Sequence, residues 1–173
     1  AGDMQAHELK TLIEEAGKDY VGAVIDSGNP LWAIEDPHVT LETLAPYALT
    51  SHVRDSAVWR VKDGIAVAWT RMGEGNVGID EWVRKYSRLC PGKALSLEII
   101  VIPSRTFKVF DHQFWDAYRS VPAWNFMRFL EIAERGKPIE VPPVPKEQAK
   151  AKEIEDLAIS AEYTKKILAG IGA

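Results

Sequence analysis

Three side chains able to hold a cation stand at the ends of three apolar runs. Asp26 directly follows YVGAVI, His52 sits near the end of ALTSHV, and Glu98 lies toward the C-terminal side of ALSLEIIV. Two carboxylates and an imidazole make a donor set of hard to borderline character. It suits a divalent ion: manganese first, with magnesium, cobalt or zinc as alternatives. Glu98 has the strongest claim, because an unpaired carboxylate inside an apolar strand is costly and a metal would compensate it. Read singly, Asp26 is better explained as a turn residue of DSGN, and His52 as an imidazole bonded to a backbone carbonyl. Their shared placement at strand ends is what a metal site would need.

The elements that would position these residues alternate between strand and helix. YVGAVI is short and free of polar interruption, as expected of a strand buried on both faces, and ALTSHV and ALSLEIIV read as two further strands. Met4 to Ala16 carries Leu9, Leu12, Ile13 and Ala16 at helical spacing, with Gly17 as a stop. Asp36-Pro37 is a helix-start signal, and Val39, Leu41, Leu44, Ala45 and Ala48 form the apolar face that follows. A third helix runs from Ile79 to Leu89 and is stopped by Pro91-Gly92. This order predicts an α/β fold with a parallel sheet, in which the C-terminal strand ends converge on one functional face. Within it, VWRVKDGIAVAWTRM predicts a hairpin turning at Asp63-Gly64, an excursion on one loop.

Beyond Val101 the pattern predicts helices alone. Pro122 to Glu134 is helical, and KPIEVPPVP is too rich in proline for helix or central strand, so residues 137–145 read as an extended surface strap. Lys146 to Leu168 places Ile154, Leu157, Ala158, Ala161 and Leu168 on one stripe, expected to pack on the outside of the fold or on a neighbouring subunit. The division is therefore residues 1–121, an α/β part with the metal site at its strand ends, and residues 122–173, a helical extension.

Composition narrows the function classes. The chain has 173 residues, 46% hydrophobic and 27% charged, as in an ordinary globular protein. A net charge of −4 offers no basic footprint for nucleic acid, and no apolar run approaches bilayer length, so neither nucleic acid nor membrane is an expected partner. Cys90 stands alone, which precludes an intrachain disulfide and suits a reducing, cytoplasmic setting. His7, His38 and His112 have no matching partners in sequence and read as surface or packing residues.

Four short motifs occur in order: the strand end IDSGN, then SHVRD (Ser51 to Asp55), MGEG (Met72 to Gly75) and SLEI (Ser96 to Ile99), followed by WDAYRSVPAWNFMRFLEIAERGKP. In these the chain resembles the sugar phosphate isomerase/epimerase family, barrels of the xylose isomerase-like type. The resemblance implies the C-terminal portion of a TIM (β/α)8 barrel, strands six to eight with their helices. A whole barrel usually needs about 250 residues. The opening AGDMQAHELKTLIEEAG enters a helical pattern at once, so an N-terminal half of the barrel, or a homo-oligomer covering the open sheet edges, is the expected partner.

The same resemblance implies roles. Asp26, His52 and Glu98 match metal ligands of strands six, seven and eight. Glu98 also matches one of two carboxylates that move protons on the substrate. A fourth ligand, a glutamate ending strand five, would precede Ala1. Some epimerases have a histidine where this chain has Asn29, which would hydrogen-bond a substrate hydroxyl instead. By their own chemistry and position, Arg71 would bind substrate oxygen or phosphate, Arg54 and Asp55 beside His52 would support that ligand, and the tryptophans read as core except Trp32 and Trp69, which on strand-end loops would line a sugar pocket. The implied activity is a divalent-metal-dependent isomerase or epimerase of a sugar, sugar phosphate or related polyol, acting through a metal-stabilised enediolate. Two alternatives stand beside it: an inosose dehydratase-like lyase or metal-dependent hydrolase on the same barrel, and a non-catalytic barrel fragment that needs a partner chain.

Overall fold

The computed structural model describes residues 4–171. Strand β1 (Ala23–Asp26) pairs in parallel with β2 (Ala48–His52), and the register sets Asp26 opposite His52. Two of the candidate ligands therefore leave the sheet at the same level. The crossover between the strands holds a 3-10 turn (Asn29–Ala33) and a helix (Pro37–Leu44). That helix, α2, begins as its sequence requires: the Asp36 carboxylate accepts a hydrogen bond from the His38 N–H at 2.8 Å, and Pro37 occupies the first turn.

Helices cover one face of this parallel pair. The apolar sides of α1 (Ala6–Ala16), α2 and α3 (Ile79–Leu89) meet Ala23, Ile25 and Ala48 in a core that includes Ile13, Leu41, Leu44, Trp82 and Tyr86. Trp82 stacks on Tyr86 with centroids 5.4 Å apart and donates its indole N–H to the Pro37 carbonyl at 3.1 Å, so a large ring is buried without orphaning its polar atom. The opposite face of the pair is not covered. Tyr20 is 93% exposed, Val24 48% and Leu49 60%, which corrects the expectation of strands buried on both sides. The physical reason is geometric: two strands bury a second face only when another layer lies against it.

Strand β2 passes almost directly into a hairpin, β3 (Asp55–Val61) and β4 (Gly64–Thr70), with Val58 opposite Val67 and the turn at Lys62-Asp63, one residue before the Asp63-Gly64 pair that signals it. The hairpin continues into a three-stranded antiparallel sheet through β5 (Arg105–Phe107). This overturns the expectation of helices alone beyond Val101, because a three-residue strand leaves no apolar run and exists only through its pairing to β4. Gly64 permits it: its φ is +154°, and a Cβ there would fall 1.9 Å from the Phe107 carbonyl oxygen. Helix α4 (Ala123–Arg135) packs Phe129, Ile132 and Ala133 on Val58, Ile65 and Val67. Asn76 stitches this layer together, accepting from the Val58 N–H at 2.7 Å and donating to the carbonyls of Val58 and Ile132 at 2.9 and 3.0 Å.

The third run, ALSLEIIV, departs most from expectation. It forms one parallel bridge, Val53 with Leu97, made by the Val53 N–H to the Ser96 carbonyl at 2.8 Å and the Glu98 N–H to the Val53 carbonyl at 3.0 Å. Because β2 ends at His52 and β3 begins at Asp55, little backbone remains for a longer pairing. Among the described residues the sheets have two and three strands and no barrel wall closes.

The last helix, α5 (Ala149–Ala169), contacts α3, where the Tyr163 hydroxyl donates to Asp80 at 2.7 Å, and it buries Asp156, Ser160, Thr164 and Ile167, whereas Ile154 and Leu157 of the expected stripe are 60% and 46% exposed. The buried face is polar because it has partners there: the Ser160 hydroxyl accepts from the Met72 N–H, and Asp156 pairs with Lys152 and faces Arg71. The strap 137–145 carries no regular structure, and its residues 139–144 line a cavity of about 950 Å³ together with α5 and residues 97–103. No helix among the described residues is long and apolar enough to cross a membrane.

Candidate metal centre

The end of β1, the end of β2 and the bridged segment after Ser96 bring the three candidate ligands together. One ligand atom from each of Asp26, His52 and Glu98 lies within 4.8 Å of the other two, and no other trio of His, Cys, Asp or Glu gathers so closely among the described residues. Donors sharing one divalent ion at 2.0–2.3 Å stand up to about 4.5 Å apart. The set suits such an ion in donor chemistry, and the 4.8 Å limit on its separations is close to that span. Ala1, beside which the resemblance places the fourth ligand, lies outside the described residues.

Local backbone chemistry sets each ligand. Asp26 begins a turn in which its Oδ1 accepts from the N–H groups of Gly28 and Asn29 at 2.7 and 2.8 Å, and its Oδ2 accepts from the Asn29 Nδ2 at 2.8 Å. Asn29, expected to face a substrate hydroxyl, here fixes the orientation of Asp26. Ser27 is buried and ties the same turn to the next strand, donating to the Arg54 carbonyl at 2.6 Å and accepting from the Arg54 N–H at 2.9 Å. Ser51 does the same for the third segment: its hydroxyl donates to the Ala94 carbonyl and accepts from the Ser96 N–H. Both serines stand inside the quoted motifs, but nothing in the sequence signals that they clamp neighbouring segments.

Charge at the site is balanced by Arg54, which is 1% exposed. Its Nη2 donates to Asp26 Oδ2 at 3.1 Å and contacts Glu98 Oε2, while His52 Nδ1 lies 3.0 Å from the same Glu98 oxygen. Glu98 is 38% exposed on its side chain and His52 47%. The expectation that a buried Glu98 requires a metal is corrected accordingly, since the carboxylate is half open to water and paired. The guanidinium carbon of Arg54 lies 4.4 Å from the centre of the Trp69 ring, and Trp69 meets Trp32 edge-on at 5.4 Å. Gly28 leaves room for this stack, as a Cβ there would come within 2.6 Å of the Arg54 stem.

The remaining expected residues divide. Asp55 follows Arg54 but serves the MGEG turn: its carboxylate accepts from the N–H groups of Ser56, Gly73 and Gly75 at 2.8, 3.0 and 2.9 Å. Burial pushes its pKa up to about 6 against those three donors. Arg71 is committed elsewhere, paired with Glu74 at 2.7 Å and within 3.8 Å of Asp156 on the wall of the strap cavity. Trp32 touches the cluster only through Trp69. His38 bonds the Val77 carbonyl at 2.9 Å, a packing role, and His7 and His112 are exposed. Cys90 is a buried free thiol whose pKa burial raises.

A comparison with protein-family models finds no match, and no solved structure matches the chain. Among curated proteins, the chain is similar to the uncharacterized protein YihM of Escherichia coli strain K12, at 27% identity over 75 residues. The aligned stretch is 43% of this chain and 23% of YihM, so the chain spans about a quarter of the length of the curated relative it matches.

Proposed function

We propose that Asp26, His52 and Glu98 hold a divalent metal ion, and that the chain is the C-terminal portion of a barrel enzyme that isomerises or epimerises a sugar, sugar phosphate or related polyol. The observation that carries this reading is the convergence of the three ligand atoms within 4.8 Å from three separate segments, two of them parallel strand ends in register. The uncovered face of the parallel pair, with Val24 and Leu49 exposed, supports a further layer lying against it, as the filled interior of a barrel would.

A bound divalent ion supplies Lewis acidity, polarising a substrate carbonyl so that the neighbouring C–H proton becomes easier to remove. The chain's own residues supply the rest. Glu98, partly open to solvent, would take and return that proton. Asn29 and the backbone of the DSGN turn keep Asp26 aimed at the cluster, and Ser27 and Ser51 hold the segments in register.

The test is a titration of the chain with MnCl2, followed by paramagnetic resonance of the free ion, on the unmodified protein and on the Asp26→Asn, His52→Gln and Glu98→Gln variants. One site per chain, weakened at least tenfold in each variant, supports the reading. No binding, or binding indifferent to all three substitutions, overturns it. Exchange of a proton for deuterium at the carbon beside a ketose carbonyl, in the longer protein, then tests the reaction class.

A further inference from the structure

From the geometry, and resting on the metal reading above, we infer that Arg54 is a built-in counter-cation that occupies the place between Asp26 and Glu98 and must leave it when a metal ion binds. Nη2 bridges Asp26 Oδ2 and Glu98 Oε2, and an ion held by those two oxygens needs the same position. Asp26 Oδ1 accepts two backbone N–H groups and Oδ2 accepts from the Asn29 Nδ2 as well as from Arg54, so withdrawal of Nη2 is what frees an acceptor position on this carboxylate for an ion.

The guanidinium is held only by the ligands themselves. Nε and Nη1 are buried and have no hydrogen-bond partner among the described residues, and the remaining contact is the Trp69 ring face. Elsewhere in the fold a buried cation of this kind would use its fork of donors on several acceptors. Here one nitrogen makes both ion pairs and two nitrogens are orphaned, so once the carboxylates are taken no hydrogen bond among the described residues holds the guanidinium, and the Trp69 ring face is what retains it. Positive charge on Arg54 also repels a divalent ion at close range. Arg54 is thus a positioning residue: it keeps Asp26 and Glu98 together without metal and limits how tightly metal binds.

MnCl2 titrations of the unmodified chain and of the Arg54→Met and Arg54→Gln variants, each checked for native far-ultraviolet circular dichroism, test this directly. Affinity at least tenfold tighter in the variants supports the inference. Binding that appears only in the variants supports it as well. Equal or weaker affinity in folded variants overturns it while leaving the metal reading intact, and absence of binding in all three proteins overturns both. A second measurement covers the case in which the variants do not fold. Displacing the guanidinium from Trp69 changes the near-ultraviolet tryptophan dichroism of the unmodified chain on saturation with Mn2+, and Trp69→Phe removes that change. Saturation with no change in the tryptophan signal overturns the inference.

Discussion

Asp55 offers a perturbation whose sign follows from the structure. Its carboxyl is 1% exposed, and burial raises its folded pKa from 3.8 to about 6 even though three backbone N–H groups favour the charged form. A group whose folded pKa is raised contributes stability that is full below its unfolded pKa and is lost as pH climbs through the folded value. For Asp55 the window runs from about pH 4 to about pH 6, and a shift of about two units corresponds to about 3 kcal/mol at roughly 1.4 kcal/mol per unit. Asp55→Asn keeps the shape and one acceptor but cannot ionise. Urea unfolding of both proteins across pH 4 to 7 gives the difference directly, with other titrating groups cancelling. We expect the wild-type free energy of unfolding to fall relative to the variant by about 3 kcal/mol across that window and to run parallel above it. A difference that stays flat would refute the reasoning. One that rises with pH would show that the three N–H donors outweigh burial and that the folded pKa lies below 3.8.

Ser27→Ala removes the two hydrogen bonds that join the DSGN turn to Arg54; it should cost about 1–3 kcal/mol in urea unfolding and weaken Mn2+ binding without altering any ligand, and unchanged affinity would show that the clamp does not position Asp26. Asn76→Ala orphans the backbone N–H and C=O of Val58 between β3 and α4. Its expected cost is about 2–4 kcal/mol by the same assay, where a loss under about 0.5 kcal/mol would mean water replaces the amide. Phe129 is fully buried, with the rings of Phe107 and Phe126 each 6.4 Å away. Truncation to Ala should cost about 3–5 kcal/mol, and calorimetry showing an unshifted melting temperature would contradict a shared core between α4 and the hairpin.

What could be read from the sequence was local. Asp36-Pro37 starts α2, Asp63-Gly64 signals the hairpin, and Ile79 to Leu89 is a helix, because caps, turns and short-range periodicity act over a few residues and need no distant partner. The meeting of Asp26, His52 and Glu98 was legible for a related reason: residues that end successive parallel segments emerge on one side. Tertiary structure decided the rest. ALSLEIIV has the composition of a buried strand yet forms a single bridge, since the backbone beside it turns away into β3. Helix α5 buries Asp156 and Ser160 rather than Ile154 and Leu157, because Arg71, Lys152 and the Met72 N–H wait on that side. Arg54 lies one turn of pleat from His52 in the chain, but its charge falls between two carboxylates that the sequence separates by 72 residues. Spacing along a chain sets which groups can point the same way, while the charge each one meets depends on which other segments the packing brings alongside.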